Sequence, residues 1–404
     1  MSTIAAEPRP VGGHGDGGPG LAFFSGYHRL DGRIGVRNYL LVLSTVALTN
    51  RWAELAVKDH EAAVALTGDF LRGLRGKDRA LQEDVLAKLA LHPNVGAVLV
   101  MCFDRFSAER WADRLSDCGR PATVLAFMAQ KGMGGALERA RTALLELDGR
   151  RREALRAPAP LSALTLALEC GGSDATSAIC ANPGIGRFVE ILIAAGGAAI
   201  ISETAEFIGA EDVVRERAVS SEVAERILAC IAAADQRTAE DGERYRGVNP
   251  TRENIEAGLT TLVEKSMGAV CKIGGLAIDG CLDYAERPSG NGLYFMDTPF
   301  FSPLSLTGMA AAGAQVTLFA LGVFNPSGNP IVPTIKVCGN AGTLETWADS
   351  IDVSLSGLVD RTMTLDEAQE KIAAKVASVA SGSLSRAEYW GEGQVIIPKT
   401  TAMI

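Results

Sequence analysis

Aromatic residues are scarce in this 404-residue chain, at 6%, and cations are outnumbered: 39 Lys and Arg stand against 48 Asp and Glu, for a net charge of −9. An aromatic stacking platform and a chain-wide basic footprint for nucleic acid or an anionic membrane are thereby excluded. Only four histidines are present, one of them (His14) in a Gly/Pro-rich start, which argues against a multi-histidine zinc site. The eight cysteines (Cys102, Cys118, Cys170, Cys180, Cys230, Cys271, Cys281, Cys338) are scattered without a CxxC pair. In a long acidic chain this reads as reduced and cytoplasmic, not as a disulfide framework. Long apolar runs are missing too. The longest uncharged stretch, Thr298–Ile335, is broken by Pro, Ser, Thr, Gln, Asn and Gly, whereas a membrane span needs about 20 mostly apolar residues in a row. Met1–Gly20 has no basic segment leading into an apolar one, so no secretory signal is expected.

What is there suits a layered α/β protein. Residues 1–25 are low in complexity and read as a disordered tail. The apolar runs Tyr39–Val46, Ala97–Met101 and Pro121–Phe127 predict buried parallel strands, and Asn50–Lys58, Ala80–Leu91 and Gly134–Leu155 predict helices between and after them. A Pro/Ala break at Arg156–Leu161 follows, and the alternation restarts. Thr165–Glu169 and Ala198–Ser202 read as strands, Pro183–Ala195 and Ala210–Ala233 as helices. Thr260–Met267, Gln315–Phe319 and Val332–Val337 are strand or loop candidates, and Thr364–Ser378 is an amphipathic helix. The expected fold is α/β: two tandem Rossmann-like three-layer units with largely parallel sheets. The first spans residues 26–157; the second, 158–404, carries most of the site.

Five stretches can carry chemistry. Glu169-Cys170-Gly171-Gly172-Ser173-Asp174 follows a strand and precedes the helix start at Asn182-Pro183. Its glycines let backbone N–H groups approach an anion, with Ser173, Asp174 and Ser177 alongside; equally, it is a tight turn with Asp174 as helix cap. Ser202-Glu203-Thr204-Ala205-Glu206 ends the next strand, so its carboxylates either hold a cation, move a proton, or favour a helix first turn. The two segments are expected to share one edge of a sheet. Glu264-Lys265-Ser266 is a polar triple in apolar surroundings, either a proton-transfer and carboxylate-binding group or a solvated turn. Lys336 lies in an apolar strand after the Asn325–Pro330 turn, where a charge needs a partner or a ligand. Near the start, Arg37 and Asn38 offer a carboxylate or sulfonate contact, or a structural clamp.

Taken together, GYHRLDGRIGVRNYLLVLSTV, ALECGGSDATSAICANPGIGRF, ISETAEFIGAE, NIEAGLTTLVEKSMG and GNPIVPTIKVCGN resemble, in order, the large catalytic part of the altronate/galactarate dehydratase family. KIGGLAIDGCLDYAERPSGNGLYFMD and SIDVSLSGLVDRTMTLDEA are similar to the family's sulfo-lyase branch, whose large subunit works with a separate small one. The resemblance implies removal of a proton α to a carboxylate, loss of a β substituent (water or sulfite), and tautomerisation to a 2-oxo acid. It implies a small anionic substrate, a possible separate small subunit and a homo-oligomer, with no nucleic acid and no membrane.

Candidates for proton transfer are Lys336, Lys265 and Glu264. Those for holding the substrate are Gly171, Gly172, Ser173, Asp174, Ser177, Asn182, Arg37, Asn38, Asn329 and Thr334. Glu203 and Glu206 are the candidates for a divalent metal (Mg, Mn or Fe). Sugar-acid dehydratases of the family carry cysteines where this chain has ALTGDFLRGLRG around Gly68, VMCFDRFS around Asp104, and Ala269. If those cysteines bind iron, this chain has lost that site; Arg105 or Arg72 nearby suits a sulfonate instead. The alternative is a non-catalytic or partner-dependent paralogue, distinguished by whether Glu203, Glu264, Lys265 and Lys336 converge.

Overall fold

A computed structural model of the chain describes residues 23–400 except 59, 61, 72 and 241–248. Arg72 and residues 1–22 of the expected tail lie outside the described residues. Its last three residues do not belong to a tail: they are part of strand β1 (Phe23–His28), which pairs with β2 (Ile34–Gly35). Next come β3 (Tyr39–Ser44), β4 (Ala63–Leu66), β5 (Val95–Cys102) and β6 (Ala122–Ala126), all parallel, in the order β4-β3-β5-β6. Val95–Cys102 is buried along its whole length, because helices cover both faces of a parallel sheet. Strand β7 (Ala157–Pro160), inside the Pro/Ala break, returns antiparallel to β1 and completes a three-stranded sheet.

The second parallel sheet has seven strands: β8 (Thr165–Cys170), β9 (Ala198–Ile201), β10 (Gly280–Leu282), β11 (Gly292–Met296), β12 (Val316–Leu321), β13 (Thr334–Cys338) and β14 (Val353–Ser354). Their order is β10-β11-β9-β8-β12-β13-β14. The chain leaves β8 toward β9 on one side and returns to β12 on the other, so the carboxyl ends of β8 and β12 form the sheet's switch point, where ligands of such folds bind.

Two expectations are corrected. Ala210–Ala233 is not one helix but two, Glu211–Arg217 and Ser221–Glu240, broken where Ala218 bridges Ile278. Thr260–Met267 is not a strand: Thr260 and Thr261 are loop, and Leu262–Met267 opens the helix Leu262–Val270, capped by the Thr261 hydroxyl, which accepts from Glu264 N. Among the described residues one helical stretch, Ser177–Ala194, is long and apolar enough to cross a membrane. Its Ile185, Phe188, Val189 and Leu192 are instead packed in the core of the second unit.

The C-terminal segment binds the units together. After the helix Arg386–Trp390 the chain runs back over the first unit, where Gln82 donates to Ile397 O (3.2 Å) and Thr400 Oγ1 donates to Asp78 (2.8 Å).

Candidate active site

At the switch point of the seven-stranded sheet the loops after β8 and β12 touch. Gly322 N and Val323 N donate to Gly172 O at 3.0 and 2.6 Å. Gly172 has φ +67°, and a Cβ there would lie 1.9 Å from Val323 O, so only glycine fits. Beside this contact opens a cavity of about 310 Å³, lined by Cys170, Gly171, Gly172, Glu203, Asn254 and Lys265 and walled by Phe300, Phe301 and Phe324.

Behind the cavity lies a buried charge cluster: Glu169, Glu203, Glu206, Lys265 and Lys272. Lys272 Nζ donates to Glu206 Oε2 at 2.6 Å, and Lys265 Nζ is 3.8 Å from the other oxygen of the same carboxylate. Lys265 Nζ also donates to Asn249 Oδ1 (3.0 Å) and lies 4.3 Å from the Phe300 ring centroid. Glu169 is the penultimate residue of β8, and its Oε2 accepts from Ser305 (2.5 Å) and Ser202 (3.3 Å). Glu203 follows β9 with φ 62°, a left-handed conformation costing of order 1–3 kcal/mol in a non-glycine residue and concentrated at functional sites. One oxygen each of Glu169, Glu203 and Glu206 has no hydrogen-bond partner among the described residues.

Three carboxylates against two ammonium groups leave one charge uncompensated, and proton binding absorbs it. Burial pushes the Glu169 carboxyl up to about 7 against the pull of Lys272 and Ser305. Burial, then the Glu169 and Glu206 charges, push Glu203 well above the ordinary carboxylate value. Burial works against the Lys272 ammonium, but Glu206, Cys170 and Glu169 more than offset it and hold its pKa above the usual lysine value. The cluster thus binds a proton shared by the Glu169 and Glu203 carboxyls, and Glu203 faces the cavity from the same wall as Lys265.

A pH prediction arises here. Unfolded Glu169 releases its proton near the ordinary 4.5, folded Glu169 only near 7. Its contribution to stability is therefore full below the lower value and lost as pH rises through the upper one. Buried His92, pulled down to about 3 by desolvation, acts in the opposite direction, so the readout is a difference between variants at each pH. Glu169→Gln is expected to gain about 1–3 kcal/mol on the wild type between pH 5 and pH 8. Urea unfolding at both pH values measures this; a constant difference would refute it.

Of the residues singled out from the sequence, the cavity and its cluster bring together Gly171, Gly172, Lys265, Glu203 and Glu206. Asn182 adjoins them, donating to Gly268 O and to Cys170 Sγ, and Ser173 contacts Cys170 Sγ through its hydroxyl. Asp174 and Ser177 form a helix-start network instead: Asp174 Oδ1 accepts from Ser177 N and Thr176, and Oδ2 from Asn340. Gly171 N is engaged by Ala320 O.

Several candidates stand apart. Glu264 is exposed and folds back on Thr260, whose N–H and hydroxyl it accepts. Lys336 is fully buried but paired with Glu392, its ammonium 4.6 Å from the Phe324 centroid. In register, Phe319 lies between Lys336 on β13 and Glu169 on β8, which separates Lys336 from the carboxylate cluster. Arg37 is a clamp: it holds Glu388 through two nitrogens (2.7 and 2.8 Å) and donates to the carbonyls of Val36, Val379 and Ser383. Asn38 bridges Arg29 and Arg151 O. Asn329 caps its own turn at Ile331 N, and Thr334 donates to Val332 O.

Sequence reasoning passed over Glu169 and Lys272. Both carried a signal. Glu169 ends an apolar strand, the same anomaly that marked Lys336, and Lys272 follows Lys265 by seven residues, two helical turns on one face.

The donor set does not fit the metal that the family resemblance implies. Glu206 is taken by the Lys272 ammonium at 2.6 Å with Lys265 3.8 Å from its other oxygen, the Glu169 carboxylate accepts from Ser305 and Ser202, and the Cys170 thiol lies between Ser173 and Asn182. Cys102 lies in the first unit with its thiol pushed up to about 12 by burial, while Cys271 donates to Met267 O in the second. Among the described residues no group of three or more His, Cys, Asp or Glu is placed to hold a metal ion.

The comparisons with known proteins agree with this architecture. Residues 26–148 match the second domain of D-galactarate dehydratase/altronate hydrolase, and residues 161–403 match the C-terminal domain of D-galactarate/altronate dehydratase. The chain is 33% identical over 381 residues to the (2R)-sulfolactate sulfo-lyase subunit beta of Chromohalobacter salexigens, covering 93% of this chain and 97% of that protein. Altronate dehydratase of Bacillus subtilis is 31% identical, with 89% of this chain and 74% of that protein aligned. Galactarate dehydratase (L-threo-forming) of Escherichia coli is 27% identical over 91% of this chain and 75% of its own length. With both units matched and the loops of the cavity inside the longer match, this chain belongs to the D-galactarate/altronate dehydratase family.

Proposed function

We propose that the chain is a lyase acting on a small 2-hydroxy carboxylate, expelling a β substituent (water or sulfite) to give a 2-oxo acid. The observation that carries this reading is one cavity wall on which Lys265 and a carboxyl with a strongly raised pKa, Glu203, stand side by side. Deprotonation α to a carboxylate builds negative charge on that carboxylate, and the Lys265 ammonium is positioned to neutralise it. With the shared proton on Glu169, Glu203 is ionised and accepts the α proton, and the acid so formed gives that proton to a departing hydroxyl, whereas sulfite leaves without one. Half-buried Phe300 and Phe324 give this wall apolar neighbours, which strengthens both effects. The dehydratase and sulfo-lyase names of the relatives support the reaction class, and the subunit name of one supports a separate small partner subunit.

Two of the four residues that would separate an enzyme from an inert paralogue, Glu203 and Lys265, meet at the cavity, which favours the enzyme. The test is 2-oxo acid release from altronate, galactarate and (2R)-sulfolactate, with sulfite assayed in parallel, with and without added Mg²⁺, Mn²⁺ or Fe²⁺. Product from at least one substrate is expected. None from any of them, with a small partner subunit also supplied, would overturn the reading.

A further inference from the structure

The first parallel sheet has its own switch point, between β3 and β5, and a second cleft of about 360 Å³ opens there. It shares no lining residue with the Glu203 cavity. Its wall is cationic in a chain whose net charge is −9. Three guanidinium groups, Arg79, Arg110 and Arg114, converge on one carboxylate, Glu83, at 3.2, 2.5 and 3.7 Å. Burial pushes the Glu83 carboxyl up, but hydrogen bonds from Arg110 and Arg79 outweigh it and hold the carboxyl below its ordinary value. Asp104, the other carboxylate lining the cleft, accepts from Ser107 N (2.8 Å), and three guanidinium groups against these two carboxylates leave the wall net positive. Phe103, Phe106 and Trp111 supply an apolar flank, with Arg110 stacked 5.9 Å from the Phe106 centroid and Arg114 6.0 Å from that of Trp111.

We propose that this cleft is a second binding site, separate from the Glu203 cavity, for a tetrahedral oxyanion: a phosphate, free or as the monoester of an apolar or aromatic body. A planar guanidinium pairs bidentately with phosphate oxygens, and three of them against Glu83 and Asp104 give a net positive wall with several N–H donors for a tetrahedral anion. The cleft is larger than the bare anion needs, and the aromatic flank faces the remaining space.

The test uses the full-length protein, with inorganic phosphate and phenyl phosphate titrated calorimetrically at constant ionic strength. Binding is expected for both; tighter binding of phenyl phosphate identifies a monoester as the source, equal binding a free phosphate. Arg110→Gln is expected to weaken phosphate about tenfold, the size of one lost charge-assisted hydrogen bond. Glu83→Gln removes the internal competitor and is expected to tighten it, a gain that misfolding cannot imitate. The 2-oxo acid turnover of both variants should match the wild type, which keeps this proposal distinguishable from the active-site reading. Absence of phosphate binding, or binding unmoved by both substitutions, would overturn it.

Discussion

Glu203→Gln is expected to keep its fold and lose about 10²–10⁴ of its turnover, the range of a removed proton-transfer group. The fold survives because burial and the neighbouring carboxylates disfavour charge on Glu203, and glutamine matches its shape without the charge. Lys265→Met is expected to lose about 10²–10³ in turnover and to raise KM, since its ammonium both holds the substrate carboxylate and stabilises the charge that develops on it. Glu206 keeps Lys272 in that variant, so stability should fall less than turnover. Lys336→Met separates the two lysines. Turnover within about tenfold of wild type places the chemistry on Lys265, whereas a loss as large as that of Lys265→Met would return Lys336 to the site. Steady-state kinetics with circular dichroism on all three variants decides the matter, and full turnover in both Glu203→Gln and Lys265→Met would sink the proposed site.

Lys272→Met is expected to cost about 3–5 kcal/mol of stability, because it strands the Glu206 carboxylate in the core. Lys265 cannot take over fully: it lies 3.8 Å from one oxygen and donates to Asn249. That loss is a large share of the roughly 5–15 kcal/mol typical of folded proteins, so the single variant should unfold at a much lower urea concentration. The double variant Lys272→Met/Glu206→Met removes both charges and should recover most of the loss, since an apolar pair of similar volume replaces a buried ion pair at little or no cost. A double-mutant cycle in urea measures the coupling. A single-variant cost below about 1 kcal/mol, or no recovery in the double, would show that the pair is not the structural support inferred.

The alternation of apolar runs with helix-length segments determined by itself that the chain is a parallel α/β protein, since only strands covered on both faces read as unbroken β-branched stretches. The loops after β8 and β9 were legible for the same reason: adjacent parallel strands deliver their carboxyl ends to one edge, and the glycines and carboxylates there announced a site. Ordered motifs gave the family. Tertiary structure alone decided which charges work together. Arg37 resembled an anion binder until its partner, Glu388, proved to be 351 residues away, and Lys336 resembled a catalytic lysine until Glu392 and the interposed Phe319 became visible. Lys265 and Lys272 come to one cluster because the helix Leu262–Val270 runs on into a 3-10 turn at Cys271–Ile273, and Glu169 reaches them only through the strand order β9-β8-β12. A local sequence pattern reports whether a side chain is flanked by apolar neighbours. Which opposite charge compensates it is set by contacts across the sheet, and that compensation separates a structural ion pair from a group free to act on a substrate.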